Sequence, residues 1–236
     1  MNIQRLLIPV ALLVAAAMVV LAASLWIRHQ GREAENPYAH IGGDFTLASK
    51  TGPVSLSAFN GKVVLLFFGY THCPDVCPTE LAKMRAAFDT LKKREAEQVS
   101  GIFISVDTDR DTPETASDYA AFFHERIIGL SGSAEEISAV AKRYFALYQK
   151  APAAKGVSDY TVDHSATIYL IGRAGLVQGL MRTPTVGEMM HAIRDALSSC
   201  SAVARPGDVA PGVCRCGRTT ARSGRSLLRT RYRQRP

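Results

Sequence analysis

The sequence predicts an α/β fold, one sheet covered by helices on both faces, from three observations. The run "VVLLFF" at residues 63–68 places six apolar residues in succession between Gly61 and Gly69, the pattern of a strand buried on both faces. A second apolar run, "IFISV" at residues 102–106, follows a stretch with helical spacing, and a third, "ATIYLI" at residues 166–171, follows two more. Buried strands that alternate with helices require cover on both faces and right-handed crossovers between the parallel strands.

The elements follow in order. "DFTLAS" and "TGPVSL" read as a short hairpin around turn residues 50–53. The strand at 63–68 comes next. A helix over residues 80–97, entered near Pro78, presents Leu81, Met84, Ala87, Phe88 and Leu91 on one side. The strand at 102–106 leads to a helix at "TPE", where Thr112 is a good N-cap and Pro113 suits the first helical position. Another helix starts at Ser133, which forms a capping box with Glu136 and has Ile137, Val140, Tyr144 and Phe145 as its buried stripe. The strand at 166–171, a turn at 172–175, a strand "LVQGLM" at 176–181 and a helix capped by Thr185 and Glu188 complete the chain's ordered part. The order hairpin, β, α, β, α, α, β, β, α is a thioredoxin-like topology.

The 236 residues suit one domain, at 41–199, with appendages. The formal charge of +7 comes from the last 36 residues, which hold nine arginines and the single acid Asp208. The rest is nearly neutral, so no basic groove for nucleic acid is expected on the domain. Residues 6–27, "LLIPVALLVAAAMVVLAASLWI", carry no charge and reach roughly 33 Å as a helix, enough to cross a bilayer core. Residues 1–27 are therefore expected to be a membrane anchor with a cytoplasmic N-terminus, the competing reading being a cleaved signal peptide. With no Arg/Ser-rich presequence, the expected setting is a bacterial inner membrane with the domain in the periplasm. Residues 28–40 read as a polar linker. Residues 200–236 are expected to be a disordered tail, because few large apolar residues are available to offset the entropy of ordering. Cys214 and Cys216 can hold a soft metal but have no neighbouring ligands.

The stretch "GYTHCPDVCPTEL" places Cys73 and Cys77 where a strand gives way to a helix. Helix-terminal amides and the positive end of the helix dipole favour thiolate there. A thiolate serves disulfide exchange and metal ligation alike, so position alone does not choose between them. The spacing is Cys-x-x-x-Cys, one residue wider than the usual redox pair on this scaffold, which leaves room for an ion. The third ligand is expected to be His164, in "YTVDHSATIYL", from the loop that packs beside the cysteine turn in this topology. Two thiolates and an imidazole make a soft set suited to Cu(I), or to Cu(II) with a further ligand. Asp163 is a candidate acceptor for the second ring nitrogen of His164, and His72 is expected to face away from the sulfurs.

Residues 42–199 resemble the Sco/SenC family of copper-binding assembly proteins for cytochrome c oxidase. "GYTHCPDVCPTEL", "FISVDTDRDTPE" and "VDHSATIYLIGRAGL" occur in that family's order. The resemblance implies that Cys73, Cys77 and His164 are the copper ligands. It also implies delivery of copper to the dinuclear site of oxidase subunit II, or reduction of that site's cysteines, with no turnover chemistry of the domain's own. A thiol-disulfide oxidoreductase is the alternative; a structural disulfide and a thiol peroxidase fit less well. "DTDRD" at 107–111 imitates a calcium loop but lacks the Gly at position six, so a helix cap and solvated turn is expected, with Arg110 pairing Asp107 or Asp109. Met189 and His191 offer copper-binding atoms, yet Met189, Ile193 and Leu197 share one helical face, which favours packing.

Overall fold

The computed structural model describes residues 17–21, 23–24, 36–152 and 160–199. The predicted tail, and most of the predicted anchor, lie outside those residues. Among the described residues no helix is long and apolar enough to cross a membrane.

Strands β1 (Thr46–Ser49) and β2 (Gly52–Ser55) form the predicted antiparallel hairpin. The central sheet is built from β3 (Val63–Gly69), β4 (Val99–Ser105), β5 (Ile127–Leu130), β8 (Thr167–Ile171) and β9 (Val177–Arg182). Its order is β5-β4-β3-β8-β9, with β3, β4 and β5 parallel and β8 and β9 antiparallel to their neighbours. Every residue of β3 and of β4 is buried, as the unbroken apolar runs require.

On one face, Phe67 of β3 lies beside Phe103 of β4, and Phe103 meets Tyr119 of helix α3 (Pro113–Phe123). Helix α1 (Val76–Thr90) shares this face, with the Met84 and Phe88 side chains over Gly101. The other face is covered by α4 (Ala134–Tyr144), whose Tyr144 ring sits 5.8 Å from Phe68 and 5.5 Å from Tyr169. Helix α5 (Val186–Ser198) buries Met189, Met190 and Ile193, so Met189 belongs to the core. Side-chain caps at Thr112, Ser133 and Thr185 accept from the amides of Thr115, Glu136 and Glu188, each cap contributing about 1 kcal/mol.

The structure corrects the sequence reading in several places. Helix α1 begins at Val76, two residues before Pro78, and Pro78 is tolerated because amides of a first helical turn have no intrahelical acceptor. The predicted helix to residue 97 breaks at Leu91, whose extended backbone turns its side chain inward, and a short α2 (Lys93–Ala96) restarts with the Lys92 amide donating to Glu95. Phe145 is not in the buried stripe. It takes a left-handed backbone (φ 53°) at the end of α4 and is 62% exposed, while the Ala146 amide closes onto the Ala141 carbonyl.

Three strands are absent from the sequence reading. Strand β5 is only four residues long and contains Gly129, where a Cβ would lie 1.9 Å from the Ala116 carbonyl oxygen. A glycine is needed there for α3 to approach the sheet. Strands β6 (Tyr148–Ala151) and β7 (Thr161–His164) form a separate antiparallel hairpin with no ladder to the central sheet. Their mix of polar and apolar residues carries no clean alternation.

Candidate metal centre

Strand β3 ends at Gly69, and the chain must then turn sharply to enter α1. A Cβ at Gly69 would stand 2.7 Å from the Cys77 Sγ, so this position allows the sulfur to lie directly against the strand end. The turn places Cys73 ahead of α1 and Cys77 in its first turn, and the Cys77 amide donates to the Cys73 sulfur over 3.4 Å. This is the helix-terminal arrangement expected to favour a thiolate.

His164 ends β7 rather than lying in a free loop. Its Nε2 is 3.2 Å from the Cys77 Sγ and 3.9 Å from the Cys73 Sγ. All three ligand-type atoms lie within 4.8 Å of one another, and they form a group among the described residues that could hold a metal ion. An ion bound at roughly 2.0–2.3 Å from three ligands in a plane would set them roughly 3.5–4 Å apart, so the donors are spaced to close on one ion with small adjustments. Both cysteines are free thiols.

The sulfurs are electrostatically unequal. The Cys77 thiol, hydrogen-bonding to Cys73, holds the Cys73 thiol down to about 3, aided by His164 and by the backbone amides of Asp75 and Cys77. The same hydrogen bond, together with burial, pushes the Cys77 thiol well above its usual range. In the metal-free pair Cys73 is therefore the thiolate and Cys77 keeps the proton.

The His164 ring packs edge-on against Tyr70 and Phe67, with centroids 5.7 and 5.9 Å away. Its Nδ1 is buried and has no hydrogen-bond partner. Asp163, the expected acceptor, is exposed, because neighbouring residues on a strand point to opposite sides. His72 faces Thr71 and Asp111, with its Nδ1 3.0 Å from the Thr71 Oγ1, and stays away from the cluster as expected. An open cavity of about 440 Å³, lined by Leu147, Tyr148, Gln149, Asp163, His164 and Ser165, adjoins the histidine.

The loop at 107–111 is solvated only at its tip, where Asp109 is exposed, and it is more than a helix cap. Asp107 and Asp111 are fully or almost fully buried. Asp111 accepts from the Thr71 amide (2.8 Å), the Thr71 hydroxyl (2.5 Å) and the Ser105 hydroxyl (2.5 Å), tying the cysteine turn to the end of β4. Asp107 pairs with Arg110 and accepts from the Tyr160 hydroxyl. The sequence signal for this was the density of acids beside a basic residue, read as a surface turn because burial of such groups is uncommon.

A family model described as SCO1/SenC matches residues 33–198. The Arabidopsis thaliana protein described as "Protein SCO1 homolog 1, mitochondrial" is 46% identical over 134 residues, covering 56% of this chain and 40% of that protein. The matched part is thus well under half of that relative's length. The solved structure of Bradyrhizobium japonicum ScoI with copper bound is 40% identical, with a TM-score of 0.60 over 66% of this chain and 99% of that one. The structure of BsSco, described as a member of the Sco family of cytochrome c oxidase assembly proteins with a disulfide switch, is 28% identical, with a TM-score of 0.53 over 71% of this chain and 99% of that one. The overall fold is similar to these structures, and the family match runs through both cysteines and the histidine. This chain belongs to the SCO1/SenC family.

Proposed function

We propose that this chain is a copper carrier that holds one copper ion through Cys73, Cys77 and His164 for assembly of the dinuclear copper site of cytochrome c oxidase. The observation that carries this reading is the convergence of two sulfurs and one imidazole nitrogen within 4.8 Å, from a turn and a hairpin far apart in sequence. Thiolate and imidazole together suit Cu(I), and a further ligand would adapt the site to Cu(II). The copper in the Bradyrhizobium relative supports the choice of ion. The adjoining cavity gives the cargo and its recipient access to His164.

In this reading the recipient is oxidase subunit II or another copper-accepting envelope protein. Residues 1–27 hold the chain to a bacterial inner membrane with the domain in the periplasm, and the domain acts as a carrier with no turnover of its own. The copper-loaded chain, mixed with metal-free soluble domain of subunit II, is expected to lose its copper to that domain. Retention of copper by the carrier in the presence of excess acceptor would count against the delivery role.

The unequal thiols favour a second reading, a thiol-disulfide reductant. The Cys73 thiolate attacks a partner disulfide and expels one partner thiolate; deprotonated Cys77 then attacks the Cys73 sulfur and expels the other. Two electrons pass to the partner, and a Cys73–Cys77 disulfide remains. Quantitative reduction of oxidised subunit II by the metal-free protein would support this role.

A further inference from the structure

The two halves of the site are built on separate sheets. The cysteines follow β3 of the central sheet, whereas His164 belongs to the β6–β7 hairpin, which shares no ladder with it. His164 is joined to β8 of the central sheet through Ser165 and Ala166, so the rest of the hairpin is placed by contacts of its own, and several of these converge on the β4–α3 loop.

On the cysteine side, that loop holds Thr71 through the buried carboxylate of Asp111. On the histidine side, the Tyr160 hydroxyl donates to Asp107 over 2.5 Å, and Arg110 donates to the Tyr160 carbonyl over 3.1 Å. The Arg110 guanidinium lies 3.8 Å above the Tyr160 ring and 5.8 Å from that of Tyr70, the residue against which His164 packs. Lys150 of the paired strand β6 reaches Asp109. The loop is itself stiff: the Asp111 amide donates to the Asp107 carbonyl, and the Ser131 hydroxyl donates to the Asp111 carbonyl. A flexible charged loop would have no reason to bury two carboxylates and satisfy them from both flanking segments.

We infer that the β4–α3 loop is a clamp fixing the separation of the two ligand sets, and that Tyr160, through its bond to Asp107, is a positioning residue for His164. If Cys73, Cys77 and His164 hold copper as proposed above, the clamp raises affinity by holding the imidazole in place before the ion arrives. Removing the Tyr160 hydroxyl takes away its bond to Asp107 and loosens that end of the hairpin, while the ring stays under Arg110 and Arg110 still reaches the Tyr160 carbonyl.

The test is Tyr160→Phe in the full chain, made in the wild-type and His164→Ala backgrounds, with copper affinity and amide hydrogen exchange of the metal-free protein both measured. The expected loss of copper affinity is about tenfold in the wild-type background, the scale on which partners of metal ligands act. In the His164→Ala background the loss should shrink to less than about twofold, because a residue acting through the imidazole has nothing left to position. In the metal-free protein, amides at 161–164 should exchange faster while those of β3 and β8 stay protected. Equal losses in both backgrounds, or unchanged exchange at 161–164, would overturn the clamp. If His164→Ala leaves affinity intact, the three-ligand site fails, and the exchange measurement still decides whether the loop holds the hairpin.

Discussion

The Nε2 of His164 lies 3.2 Å from the Sγ of Cys77 although 87 positions separate the two residues in the chain. One comes from the first turn of a helix that follows the central strand, the other from a small hairpin outside the central sheet. An imidazole held edge-on by two aromatic rings against a buried sulfur has little freedom to turn away. The donors are assembled in advance, so less ordering remains to be done when an ion arrives.

Metal binding should release close to one proton per chain from the thiol pair at neutral pH. The metal-free pair shares a single proton, held by Cys77 while Cys73 is already a thiolate. Ligation by both sulfurs requires only that proton to leave. Calorimetric copper titrations in buffers of differing ionisation enthalpy give the number directly. A release near two would mean that Cys73 is protonated in the free protein.

Cys73 should behave as a thiolate far below the usual range. With its pKa held to about 3, it remains deprotonated as pH falls from 8 to 5. A free thiol with a pKa of about 8.5 loses nearly tenfold in thiolate for each pH unit over most of that interval. Iodoacetamide labelling of the metal-free protein, read by peptide mass spectrometry, should therefore show a nearly flat rate at Cys73 between pH 5 and 8. A rate that falls with pH as a free thiol's does would remove the proposed asymmetry.

Gly69→Ala should damage the site before it damages the fold. The added methyl would sit 2.7 Å from the Cys77 Sγ and 2.9 Å from the Phe103 ring, so the sulfur or the strand end must shift. Overpacking of this kind costs about 1–3 kcal/mol. Copper affinity should drop while the thermal transition stays cooperative. Unchanged affinity in the folded variant would show that the sulfur has room to spare.

Much of this arrangement was legible in the sequence, for identifiable reasons. The long apolar runs of β3 and β8 and the capped helices at Thr112, Ser133 and Thr185 announce themselves through burial pattern and cap chemistry. The three ligand-type residues were legible because sulfur and imidazole are scarce and stand at element junctions. The β6–β7 hairpin was not, because a two-stranded ribbon outside the main sheet needs no continuous apolar face. Tyr160, which leads into β7, meets Asp107 in a tertiary contact that local sequence does not show. Asp107 and Asp111 were misread as solvated because composition shows charge, whereas burial depends on partners such as Thr71 and Ser105 that come from other segments. Phe145 was assigned to the core by helical periodicity, which cannot show that the helix closes one residue earlier in a left-handed cap.

The most direct test is a copper titration of the wild-type chain beside His164→Ala, with thiol-alkylated wild-type protein as the control. Three-donor binding predicts one copper per wild-type chain, none on the alkylated protein, and a loss of at least about 100-fold in affinity for His164→Ala. Wild-type affinity in His164→Ala would contradict it and leave the two sulfurs as an ordinary dithiol.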